Sequence, residues 1–278
     1  MPQRVLLFRN LIDNIPKNIG LYSVGVMLLL LLRISINLLS MLLGLLAFLV
    51  SYSSIYVLND LYDAEDDKKD ERKVPRKPLA QGVVNRNETK AIFVSFLIPG
   101  LLLSILLNPL FFFVVCLLVF INLIYSLPLV GTKNRSSEEI GSQSLKHTIV
   151  GLPLVFLMQF LKILLPWTTI PEILHFPALF AIGFSVVYII LFRGYKEYLT
   201  IGESIVKAPF LFCASIMIFI ISMSMYPEPF LQASMVTFIL VGIIFFRNSH
   251  LTDRRVLLVS PWYILLGIIF LVFLISNI

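Results

Sequence analysis

Long apolar runs alternate with short polar stretches along the whole chain of 278 residues. A hydrocarbon core about 30 Å thick takes roughly 20 apolar residues per helix. Nine runs meet that length, at about 18–36, 37–58, 91–107, 109–129, 146–165, 174–192, 208–226, 230–246 and 259–277. The first boundary is the least marked, because only Arg33 and Asn37 interrupt the pattern there. The expected fold is all-α: a polytopic integral membrane protein of about nine transmembrane helices, with residues 1–278 forming a single transmembrane domain.

Composition sharpens that reading. Hydrophobic residues make up 58% of the chain and charged residues 14%, and mean hydropathy is +0.93, which excludes an ordinary soluble domain. The apolar stretch after Lys17 is long and no small-residue cleavage pattern closes it, so the first helix is expected to remain. Cys116 and Cys213 lie inside apolar runs without CxxC or Cys/His spacing, so they read as packing residues.

Charge then orients the spans. If they alternate across the bilayer, the N-terminus and the loops after helices two, four, six and eight share one side, and 20 of the 22 Lys and Arg residues fall there. Only Arg33 and Lys162 fall elsewhere. By the positive-inside rule that face is cytoplasmic and the C-terminus is outside. Trp167 and Trp262 fall at helix ends, where interfacial aromatics are expected. The net charge of +6 suits contact with anionic lipid, and the chain offers no basic domain outside the membrane to bind nucleic acid.

Eight of the sixteen carboxylates lie between Asp60 and Glu88, most densely from Asn59 to Asp67, where the second span ends. On a helix Asn59, Asp63 and Asp67 are spaced i, i+4, i+8 and line one face, with Asp60 beside it. Clustered carboxylates repel unless a counter-charge is supplied. Mg²⁺, which favours one or two carboxylates plus waters and substrate phosphates, suits such a face. A solvated acidic turn balanced by the following bases is the plainer alternative. Against it stands the basic stretch Lys73-Val74-Pro75-Arg76-Lys77-Pro78 that follows directly. Metal-bound carboxylates beside Arg and Lys make a place for a diphosphate leaving group.

These residues resemble a known family. Asn59-Asp60-x-x-Asp63-x-x-x-Asp67 is similar to the NDxxDxxxD motif of the UbiA prenyltransferase superfamily, Arg76-Lys77-Pro78-Leu79-Ala80-Gln81-Gly82 to its RPLASG segment, and Tyr125-Ser126-Leu127-Pro128-Leu129 to its YSxPL stretch. The resemblance implies a UbiA-type bundle in which Asp60, Asp63 and Asp67 hold Mg²⁺ and a diphosphate, with Asn59 lining the same catalytic site. Lys17, Arg76, Lys77, Tyr125, Lys146, Tyr195, Lys196 and Glu197 are the expected substrate-binding residues.

The superfamily's second motif, DxxxD, is not matched: Arg193 to Glu203 contains no Asp, leaving Lys196 to meet phosphate and Glu197 and Glu203 as weaker ligands. That stretch resembles the GKRYAEL motif of the polyprenyl-phosphate phosphoribosyltransferase branch through Tyr195 and Glu197, and Asp253-Arg254 resembles the branch's late Asp-Arg pair. Of its N-terminal RPxQWxKN motif only Lys17-Asn18 remains. Two reactions therefore stay open: prenyl transfer from a polyprenyl diphosphate to an aromatic or lipid acceptor, and phosphoribosyl transfer to a polyprenyl phosphate. A transporter is the reading from another class, and it asks for ionisable residues at midspan. Among the remaining polar residues, His147 sits at the cytoplasmic start of helix five, His175 and His250 have no partners in sequence, and Lys162 is expected to snorkel to the outer interface. The expected partners are an isoprenoid lipid, a diphosphate donor and membrane lipid.

Overall fold

The computed structural model describes residues 15, 18–23, 25–26, 29, 34–69, 74, 77–126 and 151–170. Among these the backbone is helix, turn or short connection, with no strand. Four α-helices can be bounded: α1 (Leu38–Asp67), α2 (Arg86–Leu107), α3 (Pro109–Ser126) and α4 (Leu152–Leu164), the last continuing into a 3₁₀ turn, Leu165–Thr169. Helical backbone also occurs at residues 15, 18–23, 25–26 and 29, the N-terminal segment. Three helices, α1 to α3, are long and apolar enough to cross a membrane. The runs expected beyond residue 170 lie outside the described residues.

The helix ends follow from short polar signals. Residues 34–37 leave helical geometry, and the Asn37 Oδ1 accepts from the Ser40 amide at 3.2 Å, so the weak boundary between the first two runs is a real break. From there α1 runs 30 residues, about 45 Å at 1.5 Å per residue. That exceeds a hydrocarbon core, so α1 carries its acidic last turns past the point where its apolar run ends. α2 starts at Arg86 rather than 91 because Asn85 and Glu88 form a capping box, with bonds of 2.9 and 2.8 Å. Asn108 is extended and caps α3 through the Phe111 amide (2.8 Å), while its own amide donates to the Thr168 carbonyl (2.9 Å).

α1 and α2 lie against each other along a seam of small residues. A Cβ built on Gly100 would stand 2.3 Å from the Ser51 Oγ and 2.7 Å from its Cα, so the two backbones can approach only because residue 100 has no side chain. The interior is held by Tyr22, Phe48, Ile55, Phe111, Leu118 and Ile163, all buried. The outer faces of α1, α2 and α3 stay apolar and exposed, through residues such as Leu42, Ile98, Leu102 and Phe113. That is the surface a helix presents to lipid.

Two sequence expectations change here. Lys162 does not reach an interface: it is 1% exposed and points into the bundle. Its place near the outer end of the expected span at 146–165 suggested an escape route, but Asn18 of the N-terminal segment and Tyr52 of α1 hold it inside. Trp167 is also buried within the protein rather than set in an interfacial belt, donating its indole N–H to the Gly25 carbonyl at 3.1 Å.

Candidate active site

The last two turns of α1 carry Asn59, Asp60, Asp63 and Asp67 as helical residues along one stripe. Asp60 and Asp67 are 8% and 4% exposed, which is deep for carboxylates at a helix end. The burial is compensated by Lys77. Its ammonium forms an ion pair with the Asp60 Oδ1 and stands 3.9 Å from the Asp67 Oδ2. Burial alone pulls the Lys77 pKa down, but Asp60, then Asp67 and Asp63, outweigh it and hold the ammonium above the ordinary lysine value.

Lys77 is placed by a rigid turn. Pro78 to Gln81 make one turn of helix, closed by bonds from the Gly82 amide to the Leu79 carbonyl (3.1 Å) and from the Val83 amide to the Pro78 carbonyl (3.0 Å). This is a Schellman closure, and it needs the left-handed residue that Gly82 supplies at φ 75°. Pro78 and Leu79 are buried beneath it. The Pro-Leu-Ala-Gln-Gly stretch thus anchors one cation over the acidic face.

From the other side α3 reaches the same place. The Ser126 hydroxyl donates to the Asn59 Oδ1, and Tyr125 is buried beside it. The structure therefore brings Asn59, Asp60, Asp63, Asp67 and Lys77 together, with Tyr125 and Ser126 at their flank. Lys17, Arg76, Lys146, Tyr195, Lys196, Glu197 and Glu203 lie outside the described residues, as do His147, His175, His250 and Asp253-Arg254.

The donor set fits a hard divalent cation: it consists of carboxylate oxygens and an amide oxygen, and a cation already sits between Asp60 and Asp67 in the form of the Lys77 ammonium. Among the described residues no three acidic, His or Cys side chains converge into a ready-made metal cage.

Below the acids, the same stripe of α1 continues inward as Tyr56, Tyr52 and Phe48, at four-residue spacing. The rings form a column with Tyr22, at centroid distances of 5.4 Å for Tyr52–Tyr56, 5.5 Å for Phe48–Tyr52 and 6.0 Å for Tyr22–Phe48. Polar groups bind to it from three sides. Asn18 donates to the Tyr56 hydroxyl at 2.9 Å, the Tyr52 hydroxyl donates to the Asn122 Oδ1 at 3.1 Å, and the Lys162 ammonium donates to the Asn18 Oδ1 at 3.2 Å. The same ammonium stands 3.9 Å from the centre of the Tyr52 ring. Sequence reasoning left Tyr52, Tyr56 and Asn122 unnamed, although the four-residue spacing that aligned the acids also aligns both tyrosines.

Comparison with known proteins bears on this assembly. Residues 20–139 match the UbiA prenyltransferase family. A stretch of 70 residues is 41% identical to the digeranylgeranylglyceryl phosphate synthase of Saccharolobus solfataricus, a match spanning 25% of this chain and 23% of that protein. A UbiA homologue from Archaeoglobus fulgidus, solved with GPP and Mg²⁺, superposes with a TM-score of 0.63 at 16% identity, covering 96% of this chain and 97% of the other. The same homologue with DMAPP and Mg²⁺ gives 0.55 over 96% of each chain. The acid cluster, the Lys77 turn and the Asn59–Ser126 contact thus all lie within the segment that matches the UbiA prenyltransferase family, and the fold is similar to that of a UbiA homologue.

Proposed function

We propose that this protein is a Mg²⁺-dependent intramembrane prenyltransferase, moving a prenyl group from a polyprenyl diphosphate to an aromatic or lipid acceptor with loss of diphosphate. The observation that carries the reading is the set of Asp60, Asp67 and Lys77 at one end of a lipid-facing bundle, with an aromatic column leading inward from it. Asp60, Asp63 and Asp67 would hold Mg²⁺, with Asn59 beside them, and the bound ion neutralises charge that grows on the departing diphosphate. Lys77, relieved of the carboxylates when they bind metal, is near enough to bind a phosphate oxygen; Arg76 precedes it in the chain. Asn59 accepts a hydrogen bond from the Ser126 hydroxyl, which fixes its side-chain amide beside the cluster. The allylic C–O bond breaks with its electron pair leaving on diphosphate, the acceptor's nucleophilic atom bonds to the carbon, and its proton passes to water. In this reading a single domain of about nine helices keeps the cluster at the cytoplasmic face and the C-terminus outside, and Lys17, Tyr125, Lys146, Tyr195, Lys196 and Glu197 complete the substrate site.

The relatives support the donor class: the Archaeoglobus fulgidus homologue is described with GPP or DMAPP and Mg²⁺. One sequence feature favours a second reaction. The stretch from Arg193 to Glu203 has no Asp, as in enzymes that move a phosphoribosyl group to a polyprenyl phosphate. Membranes given radiolabelled geranylgeranyl diphosphate and phosphoribosyl diphosphate in parallel separate the two, and turnover of neither sinks both. Asp63→Asn and Asp67→Asn are expected to abolish Mg²⁺-dependent turnover in protein that stays folded in detergent. Retained activity in both overturns the metal assignment. Transport is disfavoured because the described carboxylates gather at one end of the helices.

A further inference from the structure

An open cavity of about 650 Å³ lies beside the end of α1, walled by Glu65 and Lys68 of α1, by the turn from Leu79 to Gly82, and by Arg86 and Glu88 in the first turn of α2. At 100° per residue Glu65 and Lys68 point away from the stripe of Asn59, Asp63 and Asp67, so the cavity is separate from the acid cluster. The turn that sets Lys77 on Asp60 forms the wall between them. We propose that this cavity seats the phosphodiester headgroup of an anionic membrane lipid, drawn from the leaflet at the acidic end of the bundle.

Charge selects an anion. Arg86 carries five N–H donors and Lys68 three, and each spends one on the same Glu65 oxygen, at 3.3 and 3.4 Å. Both side chains are half or more exposed, so their other donors are open to a ligand. Glu88 is turned to the α2 backbone, where it accepts from the Asn85 amide at 2.8 Å. Lys90 stands one turn on from Arg86 on the same face and is exposed. Three cations against Glu65 and Glu88 leave one positive charge, which a single phosphodiester neutralises. Depth and surface select a lipid. α2 is 22 residues long, about 33 Å, close to the thickness of a hydrocarbon core, so Arg86 at its first position stands at headgroup level. Below Arg86 and Lys90 the exposed face of α2 continues as Val94, Ile98, Leu102 and Ile105, an apolar track for acyl chains. Basic pockets between helices at this level are where lipid headgroups bind. A lipid seated there ties α1 to α2 across the turn that carries Lys77.

The test is binding to the full-length protein in a neutral detergent, by calorimetry and by the rise in melting temperature. The probes are dioctanoyl phosphatidylglycerol, dioctanoyl phosphatidylcholine and inorganic phosphate. Wild-type protein is expected to bind the anionic lipid at least tenfold more tightly than the zwitterionic one. Lys68→Gln and Arg86→Gln should each cut that preference at least threefold, and the two together should abolish it. Arg86→Lys should keep most of it. Lys69→Gln removes the same charge one residue away but outside the cavity wall, and should change the preference less than twofold. Lys68 and Arg86 are exposed, so their replacement leaves the protein folded and the comparison decisive. No preference in the wild type, or one that survives the double variant, overturns the proposal. A loss in Lys69→Gln as large as that in Lys68→Gln also overturns it, because the attraction is then diffuse surface charge. Displacement of phosphatidylglycerol by millimolar inorganic phosphate would assign a small-anion site and overturn the lipid occupant.

Discussion

Lys77 and Asp60 form an ion pair across the gap between a loop and the end of α1, with Asp67 3.9 Å from the same ammonium. Both Asp side chains are buried, so the ammonium takes the role of a resident counter-ion that keeps two carboxylates tolerable before any metal arrives. Removing one partner of a buried pair is costly, and allowing for the partial exposure of the lysine the loss is about 1–3 kcal/mol. Lys77→Met should therefore lower the melting temperature in Mg²⁺-free detergent. Added Mg²⁺ should recover more stability in the variant than in the wild type, because the competing cation is gone. A melting curve no more responsive to Mg²⁺ than that of the wild type would show that Lys77 does not occupy the metal's place.

The Schellman turn gives a second prediction. Gly82 has open space where a Cβ would go, so any penalty for Gly82→Ala is a backbone penalty alone. A left-handed conformation costs a residue with a Cβ about 1–2 kcal/mol. If the turn relaxes to avoid it, Lys77 leaves Asp60. Gly82→Ala is expected to raise the KM for the diphosphate donor several-fold while shifting stability modestly, and Gly82→Asn, which tolerates φ > 0, should be milder. Steady-state kinetics on the two variants, with equal donor KM values as the contrary outcome, checks the link between turn and cation.

What could be read from the chain alone has a physical boundary. The acidic stripe was legible because helical spacing is a local property: Asn59, Asp63 and Asp67 share a face whatever surrounds them. The Gly82 turn was visible as a motif for the same reason, and the break near Asn37 as an interruption of an apolar run. Lys162 was misread because its environment is set by residues far away in sequence, Asn18 at 144 positions and Tyr52 at 110, and no local rule says which helix will close over a lysine. Trp167 failed likewise. Its position at a helix end was correctly located, but the Gly25 carbonyl that accepts its N–H belongs to the N-terminal segment.

Ser126 and Asn59 link α3 to the acid stripe through one hydrogen bond. Ser126→Ala removes the donor and lets the Asn59 amide rotate without disturbing any charge. A lost hydrogen bond of this kind costs roughly 0.5–1.5 kcal/mol of stability, so the melting temperature should fall modestly, and turnover should fall as the Asn59 amide loses its fixed orientation. Asn59→Ala, which deletes the amide itself, should fall further, and the double variant should lose no more than Asn59→Ala does. Additive losses in that double-mutant cycle would mean the serine acts elsewhere.

Gly100 and Ser51 set the distance between α1 and α2, and hence the position of the acidic stripe relative to the Lys77 turn that joins the two helices. A methyl group at residue 100 would meet the Ser51 nitrogen at 2.5 Å and its Cα at 2.7 Å, contacts that no rotamer change relieves because they are backbone atoms. The helices must separate or shift. Overpacking of this type costs about 1–3 kcal/mol, so Gly100→Ala should lower the melting temperature in detergent although residue 100 is 40 positions from Asp60 in sequence. Turnover should drop with it, since sliding α1 past α2 moves Asp60 and Asp67 relative to Lys77. Ser51→Gly removes the Oγ contact at 2.3 Å but leaves the nitrogen and Cα, so the pair Gly100→Ala with Ser51→Gly should recover only part of the loss. Full recovery would mean that the hydroxyl alone was obstructing the methyl group and that the helix backbones are not held at their limit of approach.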